Sequence, residues 1–230
     1  MLPHLVFDDK CIPTEHYTFV NIVDHVLSSH IGSIHKFELA QENLSFRDID
    51  RWILHVSRNS VKELILEKAC GDYELYLMPS YMYVCMSRLD ALKLNKCLLQ
   101  PPSTFKGFKS LRILCIGNVN LDQEMLENFT SCFLLERLTL KDCHGFQQLK
   151  IDAPNLRFLL FTGDFEDINI LNTLNLVDAT IGLRFRRSGP CRPTNLLKFF
   201  ANLPHIQRLR ISSYFTKYLA IGSSLEKLPS

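Results

Sequence analysis

Histidines and cysteines in short order are the first places to look for chemistry in this chain. His25 and His30 flank Val-Leu-Ser-Ser and invite a zinc reading. Five residues apart, they miss the i, i+4 spacing that sets two ligands on one helical face, and no H-E-x-x-H occurs. Surface or cap histidines are the better reading. Cys143-His144 sets a thiol beside an imidazole, as a cysteine nucleophile and its base would require. Cys143 also falls at an inward-turning position of a repeat, described below, which makes it a buried structural thiol. Ser188-Gly-Pro and Phe105-Lys-Gly-Phe108 lack the Gly-x-x-x-x-Gly-Lys-Ser/Thr context that cradles phosphate. No nucleophile, base and orienting group assemble from the spacing. No catalytic residue, no metal site and no cofactor is expected.

The elements that would have to position such groups are those of an ordered chain with a large core. The 230 residues are 47% hydrophobic and 22% charged, enough to bury a substantial core. A formal net charge of +2 is too small to imply a nucleic-acid or membrane partner. Asp8, Asp9 and Lys10 interrupt the stretch where a signal peptide would carry its apolar region. No run approaches the roughly 18 apolar residues of a membrane span. Cysteines 11, 70, 85, 97, 115, 132, 143 and 191 are scattered without C-x-x-C. They read as reduced, mostly buried thiols of an intracellular protein, cytoplasmic or nuclear.

The pattern L-x-x-L-x-L recurs along the chain. It appears as Ile34-His-Lys-Phe-Glu-Leu39, Val61-Lys-Glu-Leu-Ile-Leu66, Leu89-Asp-Ala-Leu-Lys-Leu94 and Leu111-Arg-Ile-Leu-Cys-Ile116. It continues as Leu135-Glu-Arg-Leu-Thr-Leu140, Leu156-Arg-Phe-Leu-Leu-Phe161, Leu171-Asn-Thr-Leu-Asn-Leu176 and Ile206-Gln-Arg-Leu-Arg-Ile211. The copies begin 27, 28, 22, 24 and 21 residues apart, then 15 and 35; all but the last two suit a leucine-rich repeat. Phe146-Gln-Gln-Leu-Lys-Ile151 fits as an extra short strand. Three residues after the motif come Ala69, Cys97, Val119, Cys143 and Ala179, small residues that turn inward beneath the strand, whereas Glu42 and Asp164 break the rule.

Period two aims the leucines one way and the intervening residues the other. Stacked parallel strands, each followed by a return segment, then close one continuous core. The expected fold is an α/β leucine-rich-repeat solenoid, a curved parallel sheet with mixed helical and irregular returns. It forms one domain over 1–230, with a cap region over 1–33, clear repeats over 34–211 and a tail over 212–230. Ser45 is the expected N-cap of a helix over Phe46–Val56 with Asp48 at N3, and Ile49, Trp52, Ile53 and Val56 on its buried face. Helices are also expected over Tyr17–Leu27, Asp122–Phe129 and Thr194–Ala201.

The outward residues form two columns on the concave face. One reads Lys36, Glu63, Ala91, Ile113, Arg137, Phe158, Thr173, Arg208; the other reads Glu38, Ile65, Lys93, Cys115, Thr139, Leu160, Asn175, Arg210. Exposed apolar side chains ringed by charge suit a protein partner; the equal alternative is that a loop or a C-terminal segment covers Phe158 and Leu160. The candidate contacts are Lys36, Glu63, Lys93, Ile113, Arg137, Thr139, Phe158, Leu160, Arg208 and Arg210. From Ala179 to Leu225 there is no Asp or Glu against eight cations, which reads better as a solvated basic end that aids solubility than as a field steering an acidic protein or a phosphorylated or anionic ligand. The aromatics there follow no stacking pattern for nucleic acid, which is not an expected partner.

Leu2-Pro-His-Leu-Val-Phe-Asp8, Arg51-Trp-Ile-Leu-His-Val-Ser-Arg58, Lys62-Glu-Leu-Ile-Leu66, Leu135-Glu-Arg-Leu-Thr-Leu-Lys-Asp-Cys143 and Ile151-Asp-Ala-Pro-Asn-Leu-Arg-Phe158 together resemble the plant F-box/leucine-rich-repeat proteins, including the FBD subgroup. The resemblance runs from Leu2 to about Leu183. It implies a ubiquitin-ligase receptor in which an F-box binds a Skp-type adaptor and the repeats recruit the target protein. The Leu-Pro-x-Leu-x-Phe-Asp stretch follows the F-box in that family and begins here at residue 2. The resemblance therefore implies the substrate-recognition half, with adaptor binding only where an F-box lies upstream. The alternative reading is a ligase-independent repeat scaffold or an immune-receptor-like repeat array.

Overall fold

The computed structural model describes residues 3–8, 16–41, 44–67, 75–85, 88–183 and 203–212. Its elements in chain order are β1 (His4–Asp8), α1 (His16–Ser29), β2 (Lys36–Ala40), α2 (Phe46–Ser57), β3 (Glu63–Leu66), β4 (Tyr76–Leu77), α3 (Ser80–Cys85), β5 (Ala91–Asn95) and β6 (Cys97–Leu98). They continue with β7 (Ile113–Gly117), α4 (Gln123–Thr130), β8 (Arg137–Cys143), β9 (Gln148–Asp152), β10 (Phe158–Gly163), β11 (Asp167–Leu171), β12 (Asp178–Leu183) and β13 (Arg208–Ile211). Nine strands form one parallel sheet in the order β1-β2-β3-β5-β7-β8-β10-β12-β13. This is the leucine-rich-repeat solenoid expected from the motif.

One hydrogen-bonding device sets the register. The carbonyl before each strand accepts from two successive N–H groups of the next rung. His35 and Lys36 donate to Pro3, Lys62 and Glu63 to His35, Asp90 and Ala91 to Lys62, and Arg112 and Ile113 to Asp90. Glu136 and Arg137 then donate to Arg112, Arg157 and Phe158 to Glu136, Val177 and Asp178 to Arg157, and Gln207 and Arg208 to Val177. Leu5, Phe37, Leu64, Leu92, Leu114, Leu138, Leu159, Ala179 and Leu209 consequently lie in register as one inward column. Through Ala179 that column is buried. Leu209, expected to be buried, is only partly so, because β13 has a sheet neighbour on one side only among the described residues.

Two parts of the ladder differ from expectation. The stretch 171–176 is not a rung of the nine-stranded sheet: Leu171 ends β11, Leu174 is 61% exposed and Thr173 is buried. The rung is Leu176-Val-Asp-Ala179-Thr-Ile181, with Ala179 in the core and not in the small inward position. Residues 1–33 likewise contain more than a cap, because β1 pairs directly with β2 and buries Leu5 and Phe7.

After the strands the chain kinks inward. Lys96, Asn118 and Asp142 take positive φ of 54°, 53° and 55°, a conformation asparagine and aspartate tolerate better than most side chains. The kink delivers Cys97, Val119 and Cys143 to the interior. Gly163 holds the same place with φ 153°, and a Cβ there would stand 2.6 Å from the Cys143 carbonyl oxygen.

The returns are helices at one end and strands at the other. Ser45 caps α2 by accepting from the Asp48 N–H, and Ile49, Trp52, Ile53 and Val56 are its buried residues, all as expected. Asp122 is the N-cap of α4 and accepts from the Met125 N–H. The helix expected over 194–201 lies outside the described residues. After β8 and β10 the returns are β9 and β11, paired parallel, with Leu149, Ile151, Ile168 and Ile170 buried. The segment at 146–151 thus contributes a strand, in this second sheet.

Asp24 ties α1 to α2. Its carboxylate accepts from Trp52 Nε1 at 2.7 Å and from Arg51 Nη2 at 2.7 and 2.8 Å. Trp52 is 1% exposed, so losing Asp24 strands a buried N–H. Asp24→Ala is expected to lower the urea unfolding free energy by about 1–3 kcal/mol and to alter the fluorescence of Trp52, the chain's one tryptophan. Asp24→Asn keeps an acceptor oxygen and should restore most of the loss.

Candidate protein-binding face

The outward columns stand as the period-two argument places them over most of the sheet. Lys36, Glu63, Ala91, Ile113, Arg137, Phe158, Asp178 and Arg208 are register partners in succession. So are Glu38, Ile65, Lys93, Cys115, Thr139, Leu160, Thr180 and Arg210. Asp178 and Thr180 take the places expected for Thr173 and Asn175. The ladder thus brings all ten candidate residues onto one face.

Their exposure is uneven. Ile113, Phe158 and Leu160 are half-buried, less open than expected of exposed apolar residues, whereas Arg137 is exposed. Ile65 and Ala91 are only 4% exposed, so the outward face is closed there despite its alternation. The open apolar stretch runs from β7 to β10. Within it the Arg137 guanidinium stacks over the Phe158 ring, 4.3 Å from its centroid. That contact holds a planar cation against an aromatic face, an arrangement worth about 0.5–1 kcal/mol at exposed sites.

Charge frames the patch at both ends. Lys36 pairs with Glu38 at 2.7 Å on one side. On the other, Arg208 and Arg210 reach Asp178 at 3.0 and 3.6 Å, and Arg210 also meets the Thr180 hydroxyl at 3.4 Å. Asp178 lies just outside the acid-free window and compensates two of its cations. Arg184, Arg186, Arg187, Arg192, Lys198 and Lys217 lie outside the described residues.

The candidate chemical groups have structural places. Cys143 is 1% exposed and its thiol faces the carbonyls of Ile116 and Lys141, each at 3.6 Å. Desolvation pushes its pKa up to about 12, so at neutral pH it is a protonated thiol and not a nucleophile. Native protein at pH 8 is expected to leave Cys143 unalkylated by iodoacetamide, with labelling only in urea; mass spectrometry reads the outcome. Burial also raises the Cys115 thiol, while Lys141 and Lys93 pull it back. Phe105 and Phe108 pack with Phe129 and Tyr83 in an aromatic cluster. His25 is exposed on α1, and among the described residues no group of three His, Cys, Asp or Glu could hold a metal ion. No helix among the described residues is long and apolar enough to cross a membrane.

Comparison with known proteins agrees with this architecture. A family model described as At1g61320/AtMIF1, LRR domain, matches residues 26–182. F-box/FBD/LRR-repeat protein At1g13570 of Arabidopsis thaliana is 35% identical over 99% of this chain and 56% of its own length. Putative FBD-associated F-box protein At5g50270 of the same plant is 32% identical over 70% of this chain and 41% of its own. For probable FBD-associated F-box protein At1g32375 the figures are 28%, 62% and 36%. The chain spans between about a third and just over half the length of these relatives. No solved structure matches it. The chain belongs to the leucine-rich-repeat family of the At1g61320/AtMIF1 domain, and its relatives include F-box/FBD/LRR-repeat proteins of Arabidopsis.

Proposed function

We propose that this chain is the substrate-recognition part of an F-box type ubiquitin-ligase receptor, formed by residues 1–230 as one repeat domain. The target protein docks on the concave face through Lys36, Glu63, Lys93, Ile113, Arg137, Thr139, Phe158, Leu160, Arg208 and Arg210. The observation that carries this reading is the half-buried apolar stretch of β7–β10 with Arg137 stacked at its centre. It lies on a rigid ladder where only the outward residues are free to vary with the partner. The chain positions a target and catalyses nothing itself. It works in the cytoplasm or nucleus, where ubiquitin ligases reach their targets.

The ligase link is supported by the F-box relatives and is tested through the adaptor. Residues 1–230 alone are expected not to co-precipitate a Skp-type adaptor, whereas the same chain carrying an F-box upstream should. Ubiquitination of the concave-face target should then depend on that F-box. A target that is bound but never ubiquitinated would favour the ligase-independent scaffold. Strong adaptor binding by residues 1–230 alone would place the docking surface within the repeats.

A further inference from the structure

A second surface lies at the edge where the strands begin. Four successive turns into the sheet are built alike. Leu135, Leu156, Leu176 and Ile206 donate their N–H to the carbonyls of Cys132, Ala153, Thr173 and Leu203. The first residue of each turn is buried, which leaves the next one outside: Phe133 is 67% exposed and Leu174 61%. Side-chain amides lock neighbouring turns together, Asn155 donating to the Phe133 carbonyl at 2.9 Å and Asn175 to the Pro154 carbonyl at 2.8 Å.

Beside these turns runs a row of alternating charge, Lys62, Asp90, Arg112, Glu136 and Arg157. Lys62 approaches Asp90 at 3.9 Å, and Arg112 donates to Glu136 at 2.5 Å. At the next rung, where an acid would continue the series, stands Val177. Arg157 is exposed, and among the described residues its guanidinium has no hydrogen bond or ion pair. It lines an open cleft of about 500 Å³ together with Leu134, Glu136, Val177 and His205.

We propose that this cleft is a second protein-binding site, which takes a carboxylate side chain of a partner's extended segment on Arg157. Apolar side chains on either side of that carboxylate rest on Phe133 and Leu174. A guanidinium is a planar double donor that matches a carboxylate, and the charge row lacks one acid at that rung. Glu136 in the same wall disfavours a polyanion, so a single acidic residue in an apolar context fits better than nucleic acid. The site is separate from the concave face: Phe158, next along the chain from Arg157, belongs to the outward columns.

The test presents short random peptides on phage to the immobilised 230-residue chain. Enriched sequences should carry Asp or Glu beside large apolar residues. By fluorescence anisotropy, Arg157→Gln should weaken the best peptide about tenfold, as expected for loss of a charge-assisted pair. Replacing the peptide's acid by its amide should cost as much, and combining the two changes should add little. Phe158→Asp should leave this binding unchanged. No enriched peptide, no acidic preference, Arg157→Gln binding within twofold of wild type, or loss in Phe158→Asp instead would each overturn the proposal. Arg157 is exposed, so its substitution should leave the circular dichroism spectrum and urea midpoint as they were.

Discussion

Leu138→Ala is expected to destabilise the protein by about 2–5 kcal/mol, the range for a fully buried leucine whose site cannot collapse. Leu138 is 0% exposed and sits in the central part of the inward column, with Leu114 and Leu159 in register on either side, both also 0% exposed. Each neighbour is fixed by its own strand, so the cavity stays open. The position gives the change leverage beyond its volume. A solenoid's stability is approximately a sum of repeat terms and nearest-neighbour interfaces, and β8 carries the interface to β7 and to β10. Urea unfolding should show a lower midpoint. Broadening of the transition would mean that the two halves of the ladder have uncoupled. A loss below about 1 kcal/mol would show that this rung relaxes and that the column does not pack as a continuous core.

The sequence showed the repeat because two independent periods reinforced each other. Leucines at period two define each strand, and the small residue three places later, as at Cys97, Val119 and Cys143, marks the inward kink. The frame failed where those signals separated. Leu171-x-x-Leu174-x-Leu176 fits the motif better than Leu176-x-x-Ala179-x-Ile181, yet the second is the strand. Alanine contributes little to an apolar pattern while filling a core position as legitimately as leucine. A better signal lay upstream of the strand. Cys132-x-x-Leu135, Ala153-x-x-Leu156 and Thr173-x-x-Leu176 share a small buried residue three places before the first leucine. That phase selects Leu176, and it spaces the copies from Leu156 and to Ile206 by 20 and 30 residues instead of 15 and 35. β1 was missed for a different reason. Leu2-Pro-His-Leu5-Val-Phe7 is the same motif, but it stands 32 residues from Ile34 with α1 between them, outside the spacing of the other copies.

The candidate site was legible as a set of columns but not as a surface. Alternation decides which way a side chain points; it does not decide what its neighbours cover. Ile65 and Ala91 point outward and are nonetheless buried, while Arg137 and Phe158, two to four rungs later, remain accessible. The stacking of those two residues was likewise hidden, because it joins strands 21 residues apart in sequence. The basic window ending the chain was misleading in one respect. Asp178, one residue before it begins, bridges Arg208 and Arg210. Arg208→Glu with Arg210→Glu would therefore set two acids against Asp178 and disturb β12–β13 as well as any partner.

Phe158→Asp is expected to weaken binding of the concave-face target by about 2 kcal/mol or more, roughly thirtyfold, the loss typical of a central interface anchor. The target is first identified by proximity labelling in plant cells, and its affinity for purified variants is then measured by calorimetry. Arg137→Glu should also weaken binding, but the pair will not add. With the guanidinium 4.3 Å from the Phe158 ring centroid, either change removes the stack, so the double variant should lose less than the sum of the singles by about 0.5–1 kcal/mol. Neither should unfold the protein, since Leu159 and Leu138 beneath them keep the core intact. The control needs a convex residue without structural duties. Arg51 is unsuitable, because it pairs with Asp24 and Asp48 at 2.7 and 2.9 Å and helps hold α1 to α2. Arg47 is exposed in the first turn of α2, where a glutamate suits the helix dipole, and Arg47→Glu should bind as wild type does. If Arg47→Glu weakens binding while Phe158→Asp does not, recognition uses the helical side of the solenoid. If Arg157→Gln alone weakens it, the target is held at the sheet edge and the concave face is only its neighbour.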